Sequence, residues 1–396
     1  MMFADLTDME NKLTALRQTI DAIGKEQAIL KFSKHASLEE ISFLADQLNG
    51  RELAKEKFPF LAGKEGIVYP PSFYLEQTSS ERTARFKAGL VSGASLIDMT
   101  GGFGIDTYFF SEKMKDTWYV EQDPLIFDIA SRNLRLLNPG IKTVHSDSLQ
   151  FLEGFDTRVD WIYLDPIRRK KDRRLSKVEE FSPNIQEIQE LLFAHAARVM
   201  VKLSPMLDIT QAVRIFSGKV SKVYVVAVDN ECKELLVVSD GQVHAHPEVE
   251  SMNFSKQKIE RFVSFLGVAP VTAPLSDALT YLYEPNAAVF KAQQYDELAA
   301  KYSLFKLHPN THLYTSADLH KDYEGRVYTI KGVYSFDAKN FKAAEAFNIK
   351  TRNFPLGPAE VAKKLRVKEG DGSFLFCVKD KGGKLRVILC TKLMEY

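Results

Sequence analysis

Leu96-Ile97-Asp98-Met99-Thr100-Gly101-Gly102-Phe103-Gly104-Ile105-Asp106 decides the reading of this chain. An apolar strand ends at Asp98, glycines follow at 101, 102 and 104, and a helix can begin near Ile105. A strand, a glycine turn and a helix N-terminus predict a cofactor cradle. Glycine lets a ligand approach the backbone where a Cβ would collide. The free N–H groups of a helix start favour electron-rich ligand groups. Gly102-Phe103-Gly104 supplies half of the dinucleotide fingerprint G-x-G-x-x-G, and Thr107 stands at the third glycine position, which disfavours a nicotinamide cofactor.

Further strands repeat one theme. Thr117 to Val120 reads as a buried second strand ending in Glu121-Gln122-Asp123-Pro124, and Glu121 lies 17 residues after Gly104. A carboxylate there can accept two hydrogen bonds from the cis diol of a ribose. Ile141 to Val144 predicts a third strand, followed by Asp147, which also suits a helix N-cap. Trp161 to Leu164 predicts a fourth, running into Asp165-Pro166-Ile167-Arg168-Arg169. Ligands of α/β sheets sit beyond the carboxyl ends of the strands, so Asp98, Glu121, Asp147 and Asp165 should share one edge. Next, Arg168-Arg169-Lys170-Lys171-Asp172-Arg173-Arg174 puts six cations in seven residues, either a phosphate-binding loop or a solvated one.

The chain of 396 residues has room for two to four domains. Its net charge of +1 gives no global nucleic-acid signal, but residues 291–396 hold 19 Lys/Arg against 12 Asp/Glu, an excess of +7. A basic C-terminal part suits RNA docking. Cys232, Cys377 and Cys390 form no C-x-x-C pair, so neither zinc nor a disulfide framework is implied and a reducing cytoplasm is the default. No apolar run reaches transmembrane length, and Met1-Met2-Phe3-Ala4-Asp5 does not open a secretory signal.

The expected organisation has four parts: a helical domain over 1–68, a catalytic α/β domain over 76–245, a small α+β module over 246–325 and a second over 326–396. Met9, Leu13, Leu16 and Ile20 recur at helical spacing, and Ser37-Leu38-Glu39-Glu40 predicts a capping box with Asn49-Gly50 as the stop. Residues 69–74 read as a linker. A helix over 185–197, a strand over 199–203 and a hairpin of 222–228 with 235–238 complete the sheet. In the C-terminal parts a helical stretch spans 287–300, strands fall at 327–330 and 332–335, 340–347 looks helical and 351–354 extended. A helix opens at Pro358, and 373–378 pairs with 385–389. Lys350, Arg352, Lys363, Lys364, Arg366 and Lys368 are either phosphate contacts or an ordinary solvated face.

The pattern Asp-x-x-Gly-Gly-x-Gly over Asp98 to Gly104 resembles the first motif of class I S-adenosylmethionine (SAM) methyltransferases. The layout resembles a bacterial SAM-dependent methyltransferase family with a THUMP-like C-terminal domain. The segments carrying the resemblance are Glu76 to Lys87, Asp98 to Asp106, Glu121 to Pro124, Asp165 to Arg169, Glu231 to Glu234 and Arg352 to Leu356. It implies a Rossmann-like seven-stranded α/β sheet closed by an antiparallel hairpin, with ferredoxin-like and THUMP-like α+β modules. SAM is the implied cofactor, held by Asp98, Gly101, Gly102, Phe103, Gly104, Glu121 and Asp147; Asp98 lies at the methionine end and Asp147 at the adenine. Asp165 and Pro166 resemble the Asp-Pro-Pro or Asn-Pro-Pro catalytic motif, followed by an aromatic, of many nucleic-acid amino methyltransferases, but Ile167 and Arg168 replace the second proline and the aromatic. The stacking partner of a target base would then be the Arg168 guanidinium, Phe103 or Tyr74. THUMP domains accompany RNA-modifying enzymes, so the implied substrate is rRNA or tRNA, with Arg169, Lys170, Lys171, Arg173 and Arg174 on its phosphates. A nitrogen or oxygen target is favoured, a base nitrogen first, since carbon methylation of a base needs a cysteine nucleophile near the fourth or fifth strand and none is there. No metal is required. Alternatives are a methyltransferase of proteins or small molecules, and a SAM- or RNA-binding protein of this fold without turnover. Oligomeric state stays open.

Overall fold

The computed structural model describes residues 37–166, 183–256 and 258–393, single helical positions before 37, and the backbone of two short strands near 170. The chain divides into two compact units, Met1–Val201 and Lys202–Tyr396.

The first unit opens with α1 (Leu38–Lys57). Its predicted capping box forms: the Ser37 hydroxyl accepts from the Glu40 N–H, and the Ser37 N–H donates to Glu40 Oε2 at 2.7 Å. Gly50 does not stop this helix. A Cβ there would lie 2.4 Å from the Tyr69 side chain, so the glycine serves close packing. Residues 69–74 are not a free linker either. Tyr69 is buried, and α2 (Ser72–Gln77) begins inside the segment. Met9, Leu13, Leu16 and Ile20 lie outside the described residues.

Then follow α3 (Glu81–Leu90), β1 (Ser95–Asp98), α4 (Ile105–Ser111), β2 (Asp116–Glu121), α5 (Pro124–Leu137), β3 (Lys142–His145), α6 (Ser148–Glu153) and β4 (Val159–Leu164). After β4 come the two-residue strands β5 (Arg169–Lys170) and β6 (Arg173–Arg174), α7 (Ile185–His195) and β7 (Ala196–Leu203). The first-unit strands pair in parallel in the order β3-β2-β1-β4-β7. Central β1 and β4 carry Leu96, Ile97, Ile162 and Leu164 at zero exposure, the apolar signature of a sheet covered on both faces. All four acidic strand-end positions therefore fall on the carboxyl edge.

The second unit contains α8 (Ile209–Ala212), β8 (Lys222–Val228) and β9 (Glu231–Ser239), an antiparallel hairpin. Its link is the pair Asp229-Asn230, both with positive φ, so the second strand starts at Glu231, before the expected 235. The hairpin does not close the sheet: β10 (Glu248–Phe254) lies parallel to β8, and β11 (Ile259–Phe265) antiparallel to β10. A second sheet contains β12 (Tyr281–Pro285), β13 (Phe305–Lys306), β14 (Tyr314–Ser316), β15 (Gly325–Ser335), β16 (Ala346–Arg352), β17 (Lys368–Lys379) and β18 (Leu385–Lys392). Its strand order is β13-β14-β12-β15-β18-β17-β16. The predicted helix over 287–300 is two, α9 (Ala287–Lys291) and α10 (Tyr295–Lys301), because Gln293 turns with φ +58°. Residues 340–347 hold no α-helix; a 3-10 turn ends at Asn340 and β16 starts at Ala346. The two strands expected at 327–335 are one strand, β15, bulged between Ile330 and Gly332. Finally α11 (Pro358–Leu365) starts at the predicted proline.

Candidate active site

The glycine loop is shaped by its neighbours. Gly102 and Gly104 adopt φ +52° and +83°, which only glycine takes without strain. At Gly101 a Cβ would lie 2.2 Å from the Tyr119 ring. Tyr119 closes the loop from below, its hydroxyl donating to the Gly102 carbonyl at 2.7 Å.

Asp98 ends β1 with its carboxylate 1% exposed. It accepts from the Thr100 N–H at 3.1 Å and from the Thr107 hydroxyl at 2.6 Å. Among the described residues no Lys or Arg pairs with it. Burial pushes its pKa up to about 7, helped by the neighbouring carboxylates of Asp106 and Asp165, against the two hydrogen bonds. Thr107, which breaks the dinucleotide pattern, is thus the residue that holds Asp98.

Glu121 ends β2 and ties two loops together. Its Oε2 accepts from the Gly102 N–H and its Oε1 from the Asp123 N–H, both at 2.8 Å. Asp123 caps α5, and its Oδ2 accepts from the Tyr74 hydroxyl at 3.0 Å. Asp147 caps α6 through the Leu149 and Gln150 N–H groups. Asp165 follows β4, and its N–H donates to the Thr100 hydroxyl at 2.6 Å. Thr100 thereby connects Asp98 with Asp165, a link absent from the sequence reading. Pro166 is buried.

Phe103 turns into the core against Phe58 and Tyr69, with ring centroids at 6.0 and 6.2 Å, so its ring is committed to packing. Arg168 and Lys171 lie outside the described residues. Of Arg169, Lys170, Arg173 and Arg174 only the backbone is described, as the β5–β6 hairpin.

A buried network behind the loop was also not foreseen. Lys87, fully buried on α3, lies 3.0 Å from Asp106 Oδ1 and donates to the Ser79 hydroxyl at 2.7 Å. The Ser79 and Tyr163 hydroxyls each donate to Asp106 Oδ2 at 2.8 Å. The available signal was a lysine on the small-residue face of α3, beside Thr83, Ala84 and Ala88.

Comparison with known proteins agrees with this fold. A crystal structure from Porphyromonas gingivalis W83, of a protein provisionally named a methyltransferase, superposes with a TM-score of 0.83. It is 26% identical and covers 97% of this chain and 99% of that one. The chain has a class I methyltransferase fold with a THUMP-like C-terminal domain. A ferredoxin-like domain family matches residues 281–323, and a THUMP domain-like family matches residues 325–392. A protein of Pyrococcus horikoshii, provisionally named an RNA methyltransferase, is 17% identical with a TM-score of 0.34, over 49% of this chain and all of that one. TrmK of M. capricolum, solved with S-adenosylhomocysteine, is 12% identical with a TM-score of 0.33, over 41% of this chain and 69% of that one. No curated protein matches.

The two matched domains meet at Glu284 on β12. This buried carboxylate lies 2.6 Å from Lys350 Nζ, 2.7 Å from Arg352 Nη2 and 3.8 Å from Arg326 Nη1. Burial acts against the charge, but the cations outweigh it and hold the pKa below the usual range. Lys350 and Arg352 therefore first serve an internal partner, whereas Lys363, Lys364, Arg366 and Lys368 are exposed. Among the described residues there is no cluster of metal-ligand type, and no helix is long and apolar enough to cross a membrane.

Proposed function

We propose that the chain transfers a methyl group from SAM to a base nitrogen in RNA, rRNA or tRNA. One observation carries the cofactor reading: a buried carboxylate with no cationic partner among the described residues ends the strand that runs into a three-glycine turn, two of whose glycines have positive φ. Asp98 would receive the α-ammonium of SAM, Glu121 the ribose hydroxyls and Asp147 the adenine amine. A carboxylate offers about four lone-pair sites, so Glu121 keeps acceptor capacity beyond its two backbone bonds.

When bound, SAM supplies a methyl group on sulfonium, already activated toward an amine. The remaining task is alignment, which can lower a barrier by about 7–11 kcal/mol at best. Asp165 would accept a hydrogen bond from the target amine. Its backbone is fixed by Thr100 at 2.6 Å, and Pro166 restricts the chain beyond it. The basic stretch from Arg168 to Arg174, with Arg169, Lys170, Lys171 and Arg173 between, would contact RNA phosphates; Arg168 would also lie beside the base. The exposed cations after Pro358 in the THUMP-like domain support the same class of partner. Three free cysteines suit a reducing cytoplasm.

The test is transfer of labelled methyl from SAM into undermethylated RNA from a deletion strain, with Asp165→Ala as control. RNase-sensitive label that the variant loses supports the reading. SAM binding without label in RNA overturns the RNA substrate. It would favour protein or small-molecule substrates, or the binding-only reading that the Ile167-Arg168 departure suggests.

A further inference from the structure

The Lys87–Asp106 network is built at some cost. A fully buried ammonium loses its hydration, and only well-placed partners offset that. Asp106 stands in the first turn of α4, where a carboxylate is favoured by the helix dipole. That turn needs no lysine for its own stability. The lysine comes from α3, the Ser79 hydroxyl from the α2–α3 connection and the Tyr163 hydroxyl from β4, so three separate segments converge on one carboxylate.

Its position matters because the next residue, Thr107, donates directly to Asp98. Facing Asp98 are Asp106 from α4, Asp165 beyond β4 and the Tyr119 phenol from β2, none of them cationic. Among the groups that contact Asp106 are Lys87, Ser79 and Tyr163. The Asp106 carboxylate acts against the Asp98 anion, and the Lys87 ammonium in contact with Asp106 offsets part of that charge.

We propose that Lys87 and Asp106 act as a positioning pair that sets the charge felt by Asp98, keeping it anionic for the ammonium of an incoming cofactor. The proposal rests on the SAM-binding reading above. Removing Lys87 leaves Asp106 unopposed beside Asp98, which disfavours the anion. Neutralising Asp106 leaves Lys87 to favour it. Removing both charges restores the balance.

The experiment is calorimetric titration of SAM into wild type, Lys87→Met, Asp106→Asn and the double variant between pH 5.5 and 7.5. In that range the ligand's ammonium stays mostly protonated. Thermal unfolding without ligand confirms that each variant is folded. Lys87→Met should bind about tenfold more weakly at pH 7.5 and show no plateau. Asp106→Asn should reach its plateau at lower pH than wild type, and the double variant should return to the wild-type profile. If Lys87→Met does not fold, the isosteric Asp106→Asn decides by the direction of its shift. Equal weakening in all variants with an unmoved midpoint would mean a purely mechanical brace and overturn the proposal. Wild type that binds no SAM would overturn the cofactor reading itself, and the proposal with it.

Discussion

Two buried carboxylates divide the work of this molecule. Asp98 in the first unit has two hydrogen-bond donors and, among the described residues, no cation; its pKa is pushed up to about 7 by burial. Glu284 in the second unit has Lys350 and Arg352 in contact and Arg326 nearby, and its pKa is held low. Both side chains are removed from water, so the difference lies in compensation. A carboxylate supplied with cations from within is a fastener between strands. One left without them stores a demand that a cationic ligand can meet.

Asp98→Asn should separate the two roles with the largest effect. The native state holds a proton on Asp98 that the unfolded chain releases as pH rises from about 4, so its stabilising contribution is lost as pH climbs to about 7. At pH 8 the ligand-free variant should gain up to about 4 kcal/mol of stability while SAM binding weakens about 100-fold. Thermal unfolding with and without SAM checks both, and a destabilised variant that still binds SAM would break the contrast. Glu284→Gln should do the reverse, costing about 3 kcal/mol, mostly through the stranded Lys350, with SAM affinity unchanged. Arg352 contributes less because it is half in water. Denaturant unfolding and calorimetry measure the pair of outcomes.

Smaller effects sharpen the picture of the cradle. Gly101→Ala drives a methyl into the Tyr119 ring and should cost about 2 kcal/mol along with SAM affinity. An unchanged unfolding midpoint would show that the loop yields. Asp147→Ala removes the α6 cap and should cost about 1 kcal/mol. A loss of SAM affinity beyond the wild-type temperature dependence would assign Asp147 to the adenine as well as the cap.

The strand-end acids were legible because strand, glycine turn and helix are written in local sequence, and sheet topology gathers strand ends at one edge. Chemistry that depends on three dimensions was not. Thr100 and Thr107 look like ordinary loop and helix residues until the fold brings them to Asp165 and Asp98. The sequence assigns Lys87 no role of its own, yet α3 turns that face inward. Residues 340–347 carry helical spacing, but pairing of β16 with β17 overrides it. The strands β10 and β11 were missed because polar residues such as Glu250, Asn253 and Glu260 interrupt their pattern, and these are buried with partners. The Phe103 ring could not be assigned from sequence, since an aromatic after two glycines suits core or ligand equally.

The most direct test of the contrast is the affinity of the wild-type protein for SAM between pH 5.5 and 7.5. Calorimetry should show binding that weakens up to about tenfold per pH unit as Asp98 becomes protonated below about pH 7. Binding that stays constant across this range, or none at all, would contradict the assignment of Asp98 as the anion awaiting a cationic ligand.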